Sequence, residues 1–405
     1  MESVQKIEPQ AWMKSPQTKA VMDVLDERGG KTFFVGGCVR NTLLMLGVED
    51  VDIATIWTPQ EVTEKLEAAG IKVIPTGIEH GTVTAVSGGK GYEITTLRKD
   101  VETDGRRAVV AFTDKWEEDA QRRDFTMNTL LADRAGNIFD PTGEGLADLK
   151  ARRVRFVGDP AQRIAEDYLR ILRLFRFHAM YGKGDIDPQA LAACRSAADK
   201  ITTLSAERIT HEFFKTVAAD EPEIILEIMF ENNILKRFFY PEYDKKLLGH
   251  FCEFQKRYGL IALPSRLFVL AGMKLSNIND MAKLLLFPKV FRKDIDALSK
   301  VLEAEDLSGE QAVKVAVYRF GRVIAAQALM LELALDRVMN GFAPKALEII
   351  QKWEVPNLPV SGNDLMKAGI PEGPELGRKL SEIEEWWIAE GFTPSREACL
   401  QRFNV

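Results

Sequence analysis

The chain has 405 residues, 46% hydrophobic and 28% charged, with a formal net charge of −6 at pH 7. That size and composition suit two or more domains with sizeable cores, and the acidic balance argues against a nonspecific nucleic-acid coat protein. No apolar run is long enough to cross a bilayer, the N-terminus MESVQKIEPQAWMKS shows no targeting segment, and the scattered cysteines and histidines form no C-x-x-C or histidine-based zinc site; the expectation is free thiols in a reducing cytoplasm.

In chain order, a helix is predicted over 15–29 and a strand over Lys31–Val35. Gly36-Gly37 follows, then a short helix over Cys38–Met45 and a strand-like piece carrying Asp50 and Asp52. Residues two apart on a strand share a face. The spacing therefore predicts that both carboxylates project together while Val51 and Ile53 are buried behind them. Two carboxylates held that close repel unless a cation lies between them, and Mg2+ is the hard, oxygen-seeking ion that suits the pair. The two glycines let the backbone approach a bound group and turn N–H donors toward phosphate oxygens. A phosphate cradle beside an acidic pair points to nucleotidyl or phosphoryl transfer, although an isolated D-x-D is also common on surface turns.

A second helix is predicted over Thr58–Ala69, with Thr58 as N-cap and Pro59 in its first turn. Strands follow over Ile71–Ile74, Gly81–Val86 and Tyr92–Leu97, the last two joined by the turn SGGKG. Helices on a small mixed sheet make the first domain α/β or α+β. Glu93, on the last strand, could complete a metal site and help take a proton from an attacking hydroxyl. The segment 98–112 is polar and of mixed charge, and reads as a mobile loop. In EEDAQRRDFTMNTLLAD, Arg122, Arg123, Asp124 and Asn128 fall within two helical turns, with Asp124 and Asn128 on one face. Arg123 suits a triphosphate oxygen, Asp124 a ribose hydroxyl, and Asn128 either sugar or phosphate.

Residues 141–156 read as a short helix and an extended junction, and from Pro160 onward helical periodicity dominates. Between Lys150 and Arg176 the chain carries eight positive charges against three negative, a local basic patch able to attract polyphosphate or an RNA backbone. Within it, Asp167 and Arg170 lie three apart, which predicts a shared helix face. An Asp acceptor beside an Arg donor fork matches the amino group and ring nitrogen of cytosine and adenine, and mismatches uracil and guanine. A surface ion pair is the commoner fate of that spacing. Trp386 and Trp387 read as core residues of a small C-terminal helical subdomain.

Taken together, GGCVRN with DVDIAT, YEITTLR, RRDFTMN, RFVGDPAQRIAEDYLRILRLFRF and SAERITHE occur in the order found in class II tRNA nucleotidyltransferases. The chain resembles that family, the CCA-adding enzymes and their poly(A) polymerase relatives, closely over about residues 30–215 and loosely beyond. The resemblance implies an α+β fold: a nucleotidyltransferase head over 1–145 and a helical neck over 146–217, body over 218–350 and tRNA-contacting tail over 351–405. It implies that Asp50 and Asp52 hold two catalytic Mg2+ ions with Glu93 as third carboxylate. The implied nucleotide-binding residues are Gly36, Gly37, Arg40, Arg123, Asp124, Asn128, Asp167, Arg170, Arg173 and Arg176. Among these Asp124 meets the ribose, and Asp167 with Arg170 reads the base, steadied by Glu166. Glu207 and Arg208 match a motif that buttresses the neck, and 98–112 matches a flexible loop used in passing from C to A addition. One position departs: Asn41 stands where the family usually has Asp.

The activity implied is addition of C, C and A to the tRNA 3′ end from CTP and ATP, with tRNA as macromolecular partner and no membrane or obligate protein partner. The alternative is an A-adding enzyme or poly(A) polymerase. GIEHGTVTAV resembles the CCA-adding side, DGRR sets the chain apart from enzymes adding only CC, and the presence of Asp50, Asp52 and Asp124 sets it apart from a non-catalytic RNA-binding relative.

Overall fold

A computed structural model describes residues 1–27, 29–104, 107–236, 243–304 and 306–404. The chain forms two compact units, Met1–Arg237 and Phe238–Val405.

The first unit opens with β1 (Gln5–Lys6), α1 (Ala11–Lys14), α2 (Pro16–Leu25), β2 (Thr32–Val35), α3 (Gly37–Leu43), β3 (Asp52–Thr55) and α4 (Pro59–Ala68). It continues with β4 (Lys72–Gly77), β5 (Thr82–Ser87), β6 (Lys90–Thr96), the hairpin β7 (Arg98–Asp104) and β8 (Arg107–Phe112), α5 (Trp116–Gln121), β9 (Leu131–Ala132) and β10 (Asn137–Phe139). The main sheet runs β1-β10-β9-β2-β3-β6-β5-β4. Its β3–β6 pair is parallel and the others are antiparallel. Apolar residues cover both faces. Phe34, Ile53, Val83 and Ala85 are buried, and α2 and α4 pack onto β5. On the other side Phe33, Val35, Ala54, Leu97 and Leu131 form one cluster with Trp116 and Phe139. The predicted start of α4 holds: Thr58 accepts from the Glu61 N–H, Glu61 reaches back to Thr58, and Pro59 takes the first position.

Helices then take over with α6 (Gly145–Lys150), α7 (Pro160–Glu166), α8 (Leu169–Tyr181), α9 (Pro188–Ser196), α10 (Ala206–Val217) and α11 (Pro222–Glu231). One face of α8, carrying Ile171, Leu172, Leu174 and Phe175, is buried, and α10 and α11 pack against this helix. Phe125 stacks within 5.0 Å of Phe156 and 4.8 Å of Phe177, so aromatic rings join the sheet domain to α8.

The second unit is helical throughout the described residues: α12 (Lys245–Tyr258), α13 (Leu263–Leu270), α14 (Leu275–Leu284), α15 (Lys289–Ala304), α16 (Glu310–Ala334), α17 (Ala343–Lys352), α18 (Gly362–Lys367), α19 (Pro374–Ala389) and α20 (Arg396–Arg402). Helix α16 is interrupted at Gly321, whose φ of 82° is open to glycine at little cost. Trp387 is 2% exposed in the core of the last three helices, and Trp386 packs against that core, as the sequence predicts. The fold is α+β.

Four local expectations need correction. Asp50 is not on β3: β2 pairs with β3 only as far as Val35↔Asp52, because Gly36, at φ 70°, turns the chain into α3. No β2 residue remains to pair with Asp50. Residues 122–128 are not one helix, since α5 ends at Gln121 and Phe125 bridges Phe156 before a 3-10 turn over Thr126–Asn128. Asp167 does not share a helix with Arg170. Its extended backbone (φ −156°, ψ 107°) separates α7 from α8, and its Oδ1 accepts the Leu169 N–H at 3.1 Å. The segment 98–112 is a two-stranded antiparallel ribbon with a register shift between Asp100 and Glu102. Gly105 and Arg106 of its D-G-R-R turn lie outside the described residues.

Candidate active site

The acidic pair sits where β2, β3 and β6 meet. Asp52 is in register with Glu93 on the parallel neighbour, and paired strands lie about 4.8 Å apart. Burial, then the Glu93 carboxylate, push Asp52 up to about 6; Asp50 adds to that push, and Arg123 and Arg40 oppose it. Among the described residues none of these three carboxylates forms an ion pair, and no set of three or more Asp, Glu, His or Cys closes into a metal-holding cluster. Uncompensated carboxylates whose mutual repulsion raises a pKa have the donor chemistry of an open site for a hard divalent cation. Asp50 and Glu93 are exposed and Asp52 half-buried, so the site is reachable from solvent.

Gly36 connects this corner to a cavity. A Cβ there would lie 3.8 Å from Asp52 Oδ2 and 3.9 Å from Arg123 Nη1. The cavity, of about 410 Å³, is lined by Gly36, Gly37, Arg40, Arg122, Arg123, Asp124, Asn128, Asp167, Leu169, Arg170, Arg173, Phe177 and Arg208. Its size suits a small-molecule ligand. The β2–α3 turn with α3, the segment that follows α5, α8 and α10 thus supply its walls.

The protein already uses several of these side chains. Arg40, 7% exposed, donates to Asn41 Oδ1 through Nε (3.1 Å) and Nη2 (2.8 Å), to Asn128 Oδ1 through Nη1 (2.7 Å) and to the Tyr181 hydroxyl through Nη2 (2.9 Å). Its guanidinium also stacks on the Tyr181 ring at 4.0 Å. Arg40, expected to bind nucleotide and lining the cavity, thus also braces α3, the 3-10 turn and α8. Asp124 is held in the same way. Asn128 Nδ2 donates to its Oδ1 at 2.9 Å, Phe125 N–H donates to the same oxygen, and Arg173 forks onto Oδ2 through Nε (2.9 Å) and Nη2. Burial would raise Asp124, but Arg173 and these hydrogen bonds overcome it and hold the carboxyl down to about 2. Arg176 points elsewhere and does not line the cavity: its Nε donates to the buried Glu212 at 2.5 Å.

On the α8 side, Asp167 Oδ2 accepts from Arg208 at 2.7 Å, while Arg170 Nη1 donates to Glu166 at 2.5 Å and to the Arg163 carbonyl at 2.8 Å. Asp167 and Arg170 therefore line one cavity from two elements, each oriented by its own partner. Sequence reasoning missed two residues that shape this wall. Buried Arg163 clamps the carbonyls of Arg122 and Arg123, the latter at 2.7 Å. Asp119 holds the guanidinium groups of the same two residues. Asp119 was open to inference, being three and four residues ahead of the arginines on a helix; Arg163 leaves no local signal for its distant carbonyl partners. Burial would raise Asp119, yet Arg123 and Arg122 keep it below the usual carboxylate value.

A family model described as the poly A polymerase head domain matches residues 32–155. Models described as "Probable RNA and SrmB-binding site of polymerase A" and "tRNA nucleotidyltransferase domain 2 putative" match 185–247 and 263–402. The CCA tRNA nucleotidyltransferase 1, mitochondrial, of Danio rerio is 33% identical over 384 residues, spanning 91% of this chain and 86% of that protein. The CCA-adding enzyme of Levilactobacillus brevis is 32% identical over 397 residues, spanning 94% and 95%. The Bacillus stearothermophilus CCA-adding enzyme, solved with CTP, superposes with a TM-score of 0.75 at 26% identity over 93% of this chain and 94% of that one. The Thermotoga maritima enzyme, solved with tRNA, gives 0.67 at 18% identity over 100% and 99%, which bears on the fold alone. Sequence identity sustained across the head and the helical units alike, on the same fold, makes this chain a member of the CCA tRNA nucleotidyltransferase family.

Proposed function

We propose that the cavity binds CTP and ATP in turn and directs C, C and A onto the 3′ end of tRNA without a nucleic-acid template. The primer 3′-oxygen attacks the α-phosphorus, the bond to the β-phosphate bridging oxygen breaks, and pyrophosphate leaves with that electron pair. The observation that carries this reading is the continuity through Gly36 of an unpaired acidic corner, an arginine-lined cavity and the Asp167–Arg170 wall. Asp50 and Asp52 would hold the divalent ions, Mg2+ in our reading, whose chemistry is to activate the hydroxyl and to neutralise the leaving charge. Glu93 sits in register with Asp52, suited to receive or relay the hydroxyl proton. Gly36 and Gly37 admit the triphosphate close to the backbone, and Arg123 supplies donors to it.

Asp124 offers a carboxylate to the ribose while Asn128 and Arg173 fix its rotamer. Arg176 and Arg40 serve as braces. Asp167 and Arg170 read the amino group and ring nitrogen shared by cytosine and adenine, with Glu166 and Arg208 orienting them. In this reading the head, the neck and the start of the body, through α11, occupy the first unit, and the rest of the body and the tail the second. A cytoplasmic setting is supported by four buried cysteines with no disulfide among the described residues. No described helix is long and apolar enough to cross a membrane.

The test is stepwise incorporation with Mg2+ on tRNA transcripts lacking CCA or ending in C or CC. Two C from CTP and one A after CC are expected; a long A ladder, or A alone, would move the protein to the A-adding or poly(A) polymerase reading. In the same assay Asp167→Ala should raise misincorporation of U and G by two orders of magnitude or more, on the order of the discrimination that buried polar mismatches give. Unchanged fidelity would sink the base-reading assignment.

A further inference from the structure

Asp119 has no direct access to the cavity, yet two of the cavity's arginines depend on it. It is 3% exposed. Its Oδ1 accepts from Arg122 Nε at 2.8 Å and forms an ion pair with Arg122 Nη2 at 2.7 Å, and its Oδ2 accepts from Arg123 Nε at 3.1 Å and Nη2 at 2.9 Å. One carboxylate thus engages two guanidinium forks on the same pair of edges, leaving the third nitrogen, Nη1, of each arginine to face away from it. For Arg123 that nitrogen borders Gly36, and so does Asp52 Oδ2, so a phosphate seated at Gly36 would lie next to the acidic corner. Oδ1 also accepts the main-chain N–H of Arg98 at 3.3 Å, so the base of the β7–β8 ribbon is tied to the same anchor. Below, Arg163 fixes the main chain of the two arginines. Their backbone and side chains are therefore held independently.

We propose that Asp119 is a positioning residue that aims the Nη1 donors of Arg122 and Arg123 at the polyphosphate of the incoming nucleotide. Long guanidinium side chains lose much rotamer freedom on binding a ligand. Two forks locked in advance by a buried carboxylate have already lost it, so a phosphate meets a preorganised pair. The effect should follow the phosphates and not the base, because the base-side residues Asp167 and Arg170 form no hydrogen bond with Asp119, and Arg170 reaches only the Arg122 carbonyl, at 3.5 Å, which Arg163 holds in any case. This inference rests on the proposed reading that the cavity binds a nucleoside triphosphate.

The experiment is calorimetric binding of CTP and of CMP to the full chain with Mg2+ and no tRNA, so that no turnover occurs. The wild type should bind CTP at least tenfold more tightly than CMP. In Asp119→Asn, which keeps the shape and removes the charge, CTP affinity should fall about tenfold while CMP affinity stays within twofold, collapsing the ratio. If the wild type binds both nucleotides equally, the parent reading of the arginines fails. If the wild type discriminates and Asp119→Asn retains the ratio, or weakens both ligands alike, the positioning proposal is overturned. Should the Asn variant not fold, Asp119→Glu replaces it: the charge stays, the longer arm displaces both forks, and the same selective loss is expected. Failure of both variants to fold would make Asp119 a core anchor and overturn the proposal.

Discussion

Asp52 shows how a single residue can work against the fold for the sake of chemistry. Buried beside a like charge, its carboxyl is pushed up to about 6, so its ionised form destabilises the folded chain at neutral pH. Asp52→Asn should therefore melt at a higher temperature, worth roughly 1–2 kcal/mol after allowing for its partial exposure, while nucleotide incorporation disappears. Divalent ions should raise the melting temperature of the wild type and leave the variant unmoved. Equal responses in thermal scans would remove Asp52 from the ion site. Asn41 is a second case. Arg40 has only donors, so Asn41 Oδ1 must face it, which leaves Nδ2 to donate to the Gly47 carbonyl at 2.9 Å. The Leu46 N–H returns to the Asn41 carbonyl at 2.8 Å. The amide thus pins the loop that leads to Asp50, a contact an Asp side chain cannot make. Asn41→Asp should keep CTP binding but raise the Mg2+ concentration at half-maximal rate several-fold, in line with the roughly 1 kcal/mol of one hydrogen bond. An unchanged Mg2+ titration would show that the loop needs no such pin.

Between elements, the main polar tie is Asp124 with Arg173, which joins the segment after α5 to α8. Asp124 is held near 2, below its unfolded value, so the stabilisation is complete above about pH 4 and is lost as pH falls toward 2. Its size is about 2 kcal/mol by linkage. Arg173→Met leaves a buried carboxylate without its counter-ion and should cost about 3 kcal/mol or more at pH 7. That cost should shrink below pH 4 as Asp124 takes up a proton. Urea unfolding of both proteins across this range measures it, and a pH-independent difference would assign the loss to packing of the arginine stem. Element type was legible wherever periodicity was strong, as in α4 and α8. The ribbon at 98–112 was not, because charges of both signs mask the alternation that marks a strand. Asp167 was misplaced because its spacing from Arg170 fits a helix, whereas the extended backbone at 167 starts a new one.

At the scale of the whole molecule, every residue lining the cavity lies between Gly36 and Arg208, within the first compact unit. A fragment ending at residue 236 should therefore fold cooperatively and bind CTP within a few-fold of the full chain, by circular dichroism and calorimetry. A fragment that is folded but unable to bind would place part of the site in the second unit.

The chain by itself determined the chemistry available: an acidic pair after two glycines, an Arg-Arg-Asp motif, and an Asp and Arg within a basic segment, all in an order that marked the family. Tertiary structure alone decided which of those groups remain available for a ligand. Arg40 and Arg176 are nucleotide-binding residues by the resemblance, and only the fold shows that the first also bonds Asn41, Asn128 and Tyr181 and the second Glu212. Glu93 gained its place beside Asp52 from a parallel strand pairing across 41 residues of chain. Local pattern fixes residue type and periodicity, whereas buried charges take partners that only the folded chain brings within hydrogen-bonding distance.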